Sequence, residues 1–295
     1  MNKLISSLLV ISSLLSISAS ALAEDASPSF TTTEINPNTF LLQGTGGNIL
    51  VNRGPDGLLI IDNDYTKASA ALKQAIDKLG GVSNLKYILN THWHADHTGG
   101  NAALGEYASI VAHENVKTRL STRQEVPFFN MVSEPYPEVA RPSLTYPDDM
   151  TIAFNGDSLL LQHYPNGHTD GDSVIFFKNA KLIHMGDHMF YPMFPFVDLS
   201  SGGNALSYAE NVALILAKTD SDAVIVPGHG PITDKAGLTR YSAMLADTIA
   251  EVTAMKEQGL SLQQAQEKGL DEKWQEWNGG FIKEPIWIEF IYQSL

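Results

Sequence analysis

Short apolar runs and turn residues alternate along most of the chain. Phe30 to Ile35, Thr39 to Gln43, Asn48 to Asn52 and Gly57 to Asp62 are separated by Gly44-Thr-Gly-Gly and Arg53-Gly-Pro-Asp-Gly. Runs of this length between such punctuation predict a meander of antiparallel strands. Between Thr66 and Gly80 the period changes: Leu72, Ala75, Ile76 and Leu79 fall at helical spacing and Gly80-Gly81 supplies a C-cap. Lys86 to Asn90 reads as a strand, and Gly99 to Leu120 as helix, strand and helix with the strand at Ser109 to Ala112. The Pro- and aromatic-rich stretch from Gln124 to Asp148 has no clear period and is expected to be a long loop. Strands resume at Thr151 to Phe154, Ser158 to His163, Ser173 to Phe177 and Leu182 to Met185. A helix from Asn204 to Lys218 and a strand from Ala223 to Val226 follow. A long helix from Thr233 to Gln258 is opened by the turn at Pro231. The remaining tail reads as helical in pieces, with Trp274, Trp277 and Trp287 as packing residues. Strands and helices thus alternate in two passes. This predicts an α/β single domain of two β-layers covered outside by helices, both halves contributing to one site.

The first residues change the picture of where this domain resides. Lys3, the apolar run Leu4 to Ile17 and the small-x-small ending Ala21-Leu22-Ala23 have the form of a signal peptide over residues 1–23. The apolar run is too short to span a bilayer of about 30 Å. The expectation is a periplasmic or secreted protein with no membrane span, its folded domain at 24–295, the core at about 39–258 and a helical C-terminal tail. Nineteen Lys and Arg against 33 Asp and Glu give a formal net charge of −14. Such a field repels phosphate backbones, so no nucleic-acid partner is expected. The chain has no cysteine. Disulfides and thiolate ligands are therefore excluded, and any metal site must be built from His and carboxylate.

The chemistry concentrates in His92-x-His94-x-Asp96-His97, directly after the apolar strand Tyr87-Ile-Leu-Asn90. In extended backbone, residues two apart point the same way, so His92 and His94 can converge on one ion. Asp96 and His97 lie where the chain turns into the next helix and can face a second ion. Imidazole and carboxylate are ligands that zinc accepts in open catalytic sites.

These residues, with three later motifs in order, resemble the metallo-β-lactamase superfamily over roughly Thr39 to Gly230. The later motifs are Pro165-Asn-Gly-His168-Thr-Asp-Gly-Asp, Met185-Gly-Asp187-His-Met-Phe and Val226-Pro-Gly-His229-Gly-Pro, each after an apolar strand. The resemblance implies the four-layer αβ/βα sandwich of that family. It also implies a first ion on His92, His94 and His168, and a second on Asp96, His97 and His229, with the Asp187 carboxylate bridging both. Gly167, Gly186, Gly228 and Gly230 are expected to let the backbone turn sharply beside the ligands. His113 and His184 read as core histidines. His163 and His188 are candidates for orienting a ligand rather than for direct ligation.

Two ions about 3.5–4 Å apart can share a bridging water and lower its pKa towards neutrality. The resemblance therefore implies a metal-dependent hydrolase that uses a bridging hydroxide, with two Zn2+ as cofactors and iron or manganese as other metals such a donor set accepts. Asp96 is the expected catalytic carboxylate, orienting the nucleophile and passing a proton. The bond expected to be cleaved is an ester, thioester, lactone or amide in a small-molecule substrate. Aromatic loops at Pro127 to Met131 with Tyr136, and at Phe190 to Phe196, suggest that this substrate has an apolar portion. Two other readings compete: a β-lactamase, and a non-catalytic periplasmic metal-binding accessory protein. Relatives that hydrolyse β-lactams with a Cys ligand carry it where Asp187 stands, and commonly a Lys three residues later, where this chain has Phe190. The Asp187 pattern resembles glyoxalase II-like thioesterases, lactonases and phosphodiesterases more closely, although the tail after His229 lacks a basic cluster for gripping glutathione. His94 argues against flavodiiron-type members, which carry Glu there. A mononuclear iron relative that oxidises persulfides shares several of the ligands.

Overall fold

The computed structural model describes residues 28–295, so the leader at 1–23 lies outside the described residues. The first sheet is built from β1 (Thr31–Asn36), β2 (Thr39–Gln43), β3 (Ile49–Gly54), β4 (Gly57–Ile61), β5 (Leu85–Leu89) and β6 (Ser109–His113). A small hairpin of β7 (Gln124–Val126) and β8 (Met131–Ser133) follows, before β9 (Leu144–Tyr146) returns to this sheet beside β6. Strands β1 to β4 pair antiparallel, whereas β4, β5, β6 and β9 run parallel. The second sheet takes β10 (Asp149–Phe154), β11 (Asp157–His163), β12 (Ser173–Phe177), β13 (Leu182–His184) and β14 (Val224–Val226) in that order.

The apolar runs look nearly continuous because most strands are buried on both faces. Leu41, Leu50, Leu59 and Ile61 point between the sheets, against Leu159, Leu161, Ile175 and Val226. Their neighbours Leu42, Val51 and Ile60 point the other way, onto Leu72, Ile76 and Leu79 of α1 (Ser69–Leu79). Short helices α2 (Ala95–Thr98), α3 (Asn101–Leu104) and α4 (Glu114–Leu120) link the parallel strands. The outer face of the second sheet is covered by α5 (Ala205–Lys218) and α6 (Lys235–Glu257), and α7 (Leu262–Lys268) and α8 (Glu284–Ser294) join the same core. The order helix, sheet, sheet, helix is the expected α/β sandwich.

Two sequence expectations change. The segment from Gln124 to Asp148 is not one long loop, since it contains the β7–β8 hairpin and β9. Helix α6 starts at Lys235 rather than Thr233, because the Asp234 side chain caps it by accepting from the Gly237 N–H. The tail is part of the core: Trp277 and Trp287 are fully buried, and Trp287 donates to Thr248 of α6 at 2.9 Å. No helix among the described residues is long and apolar enough to cross a membrane.

Candidate metal centre

The strands β4, β5, β11, β13 and β14 all end at one edge of the sandwich, and each is followed by a turn that carries one or more polar side chains to the same place. Main-chain hydrogen bonds tie these turns together: Asn63 N–H to His97 O at 2.9 Å, Asp198 N–H to His168 O at 2.9 Å, Gly228 N–H to Gly186 O at 2.8 Å, and Asn48 N–H to Gly228 O at 2.7 Å. The site is thus held by backbone from widely separated parts of the sequence, independently of any ligand.

Two groups of donor atoms result. His92, His94, His168 and Asp187 form one, and Asp96, His97 and His229 form the other. Asp187 lies between them, with Oδ2 3.4 Å from His168 Nε2 and 3.5 Å from His229 Nε2, and Oδ1 3.1 Å from His97 Nε2. Asp96 Oδ2 is 3.3 Å from His229 Nε2. The glycines expected beside these residues serve two ends. Gly230 has φ of +103°, a conformation that side chains disfavour, whereas at Gly228 a Cβ would stand 2.1 Å from Asp187 Oδ1.

The histidine protons show what the donors are arranged to accept. His94 Nε2 lies 3.0 Å from Asp198 Oδ2, and His97 Nδ1 lies 2.7 Å from Asp62 Oδ2. A carboxylate only accepts, so these ring nitrogens carry the protons. His168 Nδ1 donates to Phe196 O at 2.8 Å. Thr91 Oγ1 gives its proton to Asp62 at 2.8 Å, which leaves it to accept from His92 Nδ1 at 3.0 Å. His92, His94 and His168 therefore turn bare lone pairs towards the first cluster, and the neutral form of His97 turns one towards the second. His168 Nε2 and His94 Nδ1 face each other at 2.8 Å with no proton between them, and Asp187 Oδ1 is buried without a hydrogen-bond partner. Lone pairs and a carboxylate packed this way repel unless a cation lies among them. The donor set fits divalent metal ions.

The electrostatics of the protein alone point the same way. Burial opposes the charged form of His97, but Asp187, Asp96 and Asp62 outweigh it and raise its pKa well above the ordinary value. His229 is likewise raised to about 9, against burial, chiefly by Asp187. Asp96 is held at about 2, because His97 and His229 overcome the cost of its burial. His168 goes the other way, to about 4, because burial dominates there. The pocket holds a surplus of carboxylate that protons neutralise when nothing else does.

Asp62 and Asp198, which orient His97, His92 and His94, were not legible in the sequence. Asp62 had a usable signal: β4 and β5 pair in parallel with Ile61 opposite Leu89, so the residue after β4 must fall beside the motif that follows β5. Asp198 had none. Of the remaining histidines, His113 and His184 are buried and bonded to main chain, Nε2 of each donating to the Pro147 and Asn48 carbonyls. His163 does not approach the site: it stacks on His113, with ring centroids 3.7 Å apart, and its Nδ1 bonds to the Asp172 carbonyl. His188 points away from Asp187 and stacks on Tyr208.

A cavity of about 290 Å³ opens over the donors. Asp96, Asp187, His94 and His229 line its floor, with Trp93, Phe190, Phe196, Phe129, Met131 and Phe281 around it. Of the expected aromatic rim, Phe190 and Phe196 do line the cavity, but Phe194 is buried against Trp287 as core.

The chain belongs to the metallo-beta-lactamase superfamily, whose sequence profile matches residues 32–229. It is similar to a beta-lactamase-like protein 2 homolog of Caenorhabditis elegans, with 28% identity over 68% of this chain and 60% of that protein. It is also similar to a hydroxyacylglutathione hydrolase of Pelagibacter ubique, with 30% identity over 50% of this chain and 53% of that protein. The chain thus spans little more than half the length of these relatives. A solved metallo-beta-lactamase from Pontibacter korlensis shares the fold at a TM-score of 0.60, with 18% identity over 74% of this chain and all of that one.

Proposed function

We propose that the protein is an exported hydrolase that holds two zinc ions and cleaves an ester, thioester, lactone or amide in a small molecule. One observation carries this reading: seven donor groups converge in two adjacent sets on the floor of an open cavity. His92, His94 and His168 would hold one ion, Asp96, His97 and His229 the other, with Asp187 shared. Bound there, divalent cations supply Lewis acidity and bring the pKa of water towards neutrality. The protein's own groups do the rest. Asp62 and Asp198 fix the imidazole tautomers, so no histidine has to reorganise during turnover. Asp96, partly exposed to the cavity, would orient the attacking water, take up its proton and return it to the leaving atom. The leader-like residues 1–23 support export to the periplasm or beyond.

The hydroxyacylglutathione hydrolase relative supports a thioester among the candidate bonds. A β-lactamase reading is weaker, because Phe190 stacks on His229 with centroids 4.9 Å apart where a cation would grip a drug carboxylate. A panel of chromogenic esters, thioesters, lactones and cephalosporins, run with zinc and after chelation, tests the proposal. Turnover of at least one non-lactam class, lost on chelation and restored by zinc, is expected. Stoichiometric metal binding without turnover of any substrate would favour an accessory metal-binding protein instead.

A further inference from the structure

Part of the cavity wall, next to the β7–β8 hairpin, comes from the C-terminal tail, beyond the stretch that the family profile matches. Phe281 is 48% exposed, yet its chain neighbour Ile282 and nearby Trp277 are fully buried. The segment is also stapled to the loop after Asp187 by the Phe194 N–H, which donates to Trp277 O at 3.1 Å. Phe281 is therefore a side chain presented to the cavity on a fixed base. Beside it, Phe129 and Met131, each 42% exposed, stand on the hairpin, and the Phe129 and Phe281 rings pack with centroids 5.9 Å apart. The hairpin tip is itself supported from below: Phe129 rests on Phe196, and Phe128 on Phe196 and on Phe290 of α8. Two exposed aromatic groups on buttressed supports, over a polar floor, form a cleft rather than a patch of loose core.

The chemistry of this cleft is one-sided. Among the described residues, those that line it include no lysine or arginine. An anionic tail would have to leave water for aromatic carbon with nothing to pair it. We infer that Phe281 and Phe129, with Met131, are specificity-determining residues that take an uncharged apolar group attached to the scissile carbonyl, and that the C-terminal tail thereby sets the substrate class. This deepens the hydrolase reading above and rests on it.

Two thioester series test the inference on the zinc-loaded protein, one lengthening the acyl chain and the other the leaving thiol. In one of them kcat/KM should rise about fourfold per methylene until the cleft is full, the increment for full burial of a CH2. Phe281→Ala and Phe129→Ala should flatten that increment. Leu214→Ala, at an exposed position on α5, should leave the whole series unchanged. Phe281→Lys should shift preference towards chains that end in carboxylate. Binding is read separately from turnover by intrinsic tryptophan fluorescence, to which Trp93 in the cavity wall contributes, titrating the loaded protein with n-alkanols of increasing length. Their affinity should climb with length in the wild type and less so in Phe281→Ala. Turnover with no dependence on chain length in either series would overturn the cleft assignment and leave the hydrolase reading intact. Length-dependent alkanol binding without turnover of any substrate would do the reverse.

Discussion

Asp198→Asn is the sharpest single perturbation of the centre. Asp198 is buried, and its Oδ1 accepts from the Ser200 and Ser201 N–H groups while Oδ2 faces His94 Nε2 at 3.0 Å. Burial works against its ionisation, but the His94 hydrogen bond outweighs that and holds the carboxyl below the usual range. An asparagine that keeps its oxygen on the serine amides must turn its NH2 towards His94. That moves the imidazole proton to Nδ1, the atom that faces the first cluster. A hydrogen bond involving a charged group is worth about 1.5–3 kcal/mol, so the first cluster should lose about 10–100-fold in metal affinity. The second cluster does not touch Asp198 and should be unaffected. Competition with a chromophoric chelator resolves the two binding steps, and thermal unfolding checks that the fold persists. Equal weakening of both steps, or of neither, would refute the tautomer argument.

Asp187→Ala should lower metal content as well as rate, since its two oxygens face both clusters; unchanged stoichiometry measured by plasma emission contradicts the shared role. Gly228→Ala should have a similar effect, because its Cβ would meet Asp187 Oδ1 at 2.1 Å, and a full metal complement in that variant would show that the carboxylate can move aside. The stability of the metal-free protein should peak near pH 6.5. His229 has a folded pKa of about 9, so its contribution is complete below the unfolded value and is lost as pH rises through 9. His168, at about 4, is kept neutral in the fold, so stability also falls as pH drops from about 6.5 towards 4. Thermal midpoints across pH in the presence of chelator read both limbs, and a midpoint that rises between pH 7 and 9 contradicts the first. Trp287→Ala should cost about 3–5 kcal/mol in chemical denaturation, because it empties a fully buried site and removes the hydrogen bond to Thr248; a surface-like loss would mean that the tail is not part of the core.

The sandwich was legible because its strands obey local rules. Leu41 and Leu42, or Leu59 and Ile60, go to opposite faces that are both buried, so each strand announces itself as a short unbroken apolar run between glycines. The donors were legible for a related reason: each sits in a turn directly after such a run, and histidines clustered there have few structural uses. What stayed hidden depends on contacts between distant segments. Leu144–Tyr146 is a strand only because the edge of β6 is open to it, and three residues carry no period of their own. Asp198 looks like any loop carboxylate until the fold places it under His94, more than a hundred positions earlier. Phe281 gave no sign that it would face the cavity rather than join Trp277 in the core.

The central claim is that two sets of donors hold two ions in a single working centre. Plasma emission on the purified mature protein, taken together with hydrolysis before and after chelation, tests it most directly. The account predicts two equivalents of metal per chain, with activity that disappears and returns in step with them. One equivalent that supports full activity, or hydrolysis that survives complete removal of metal, would contradict it.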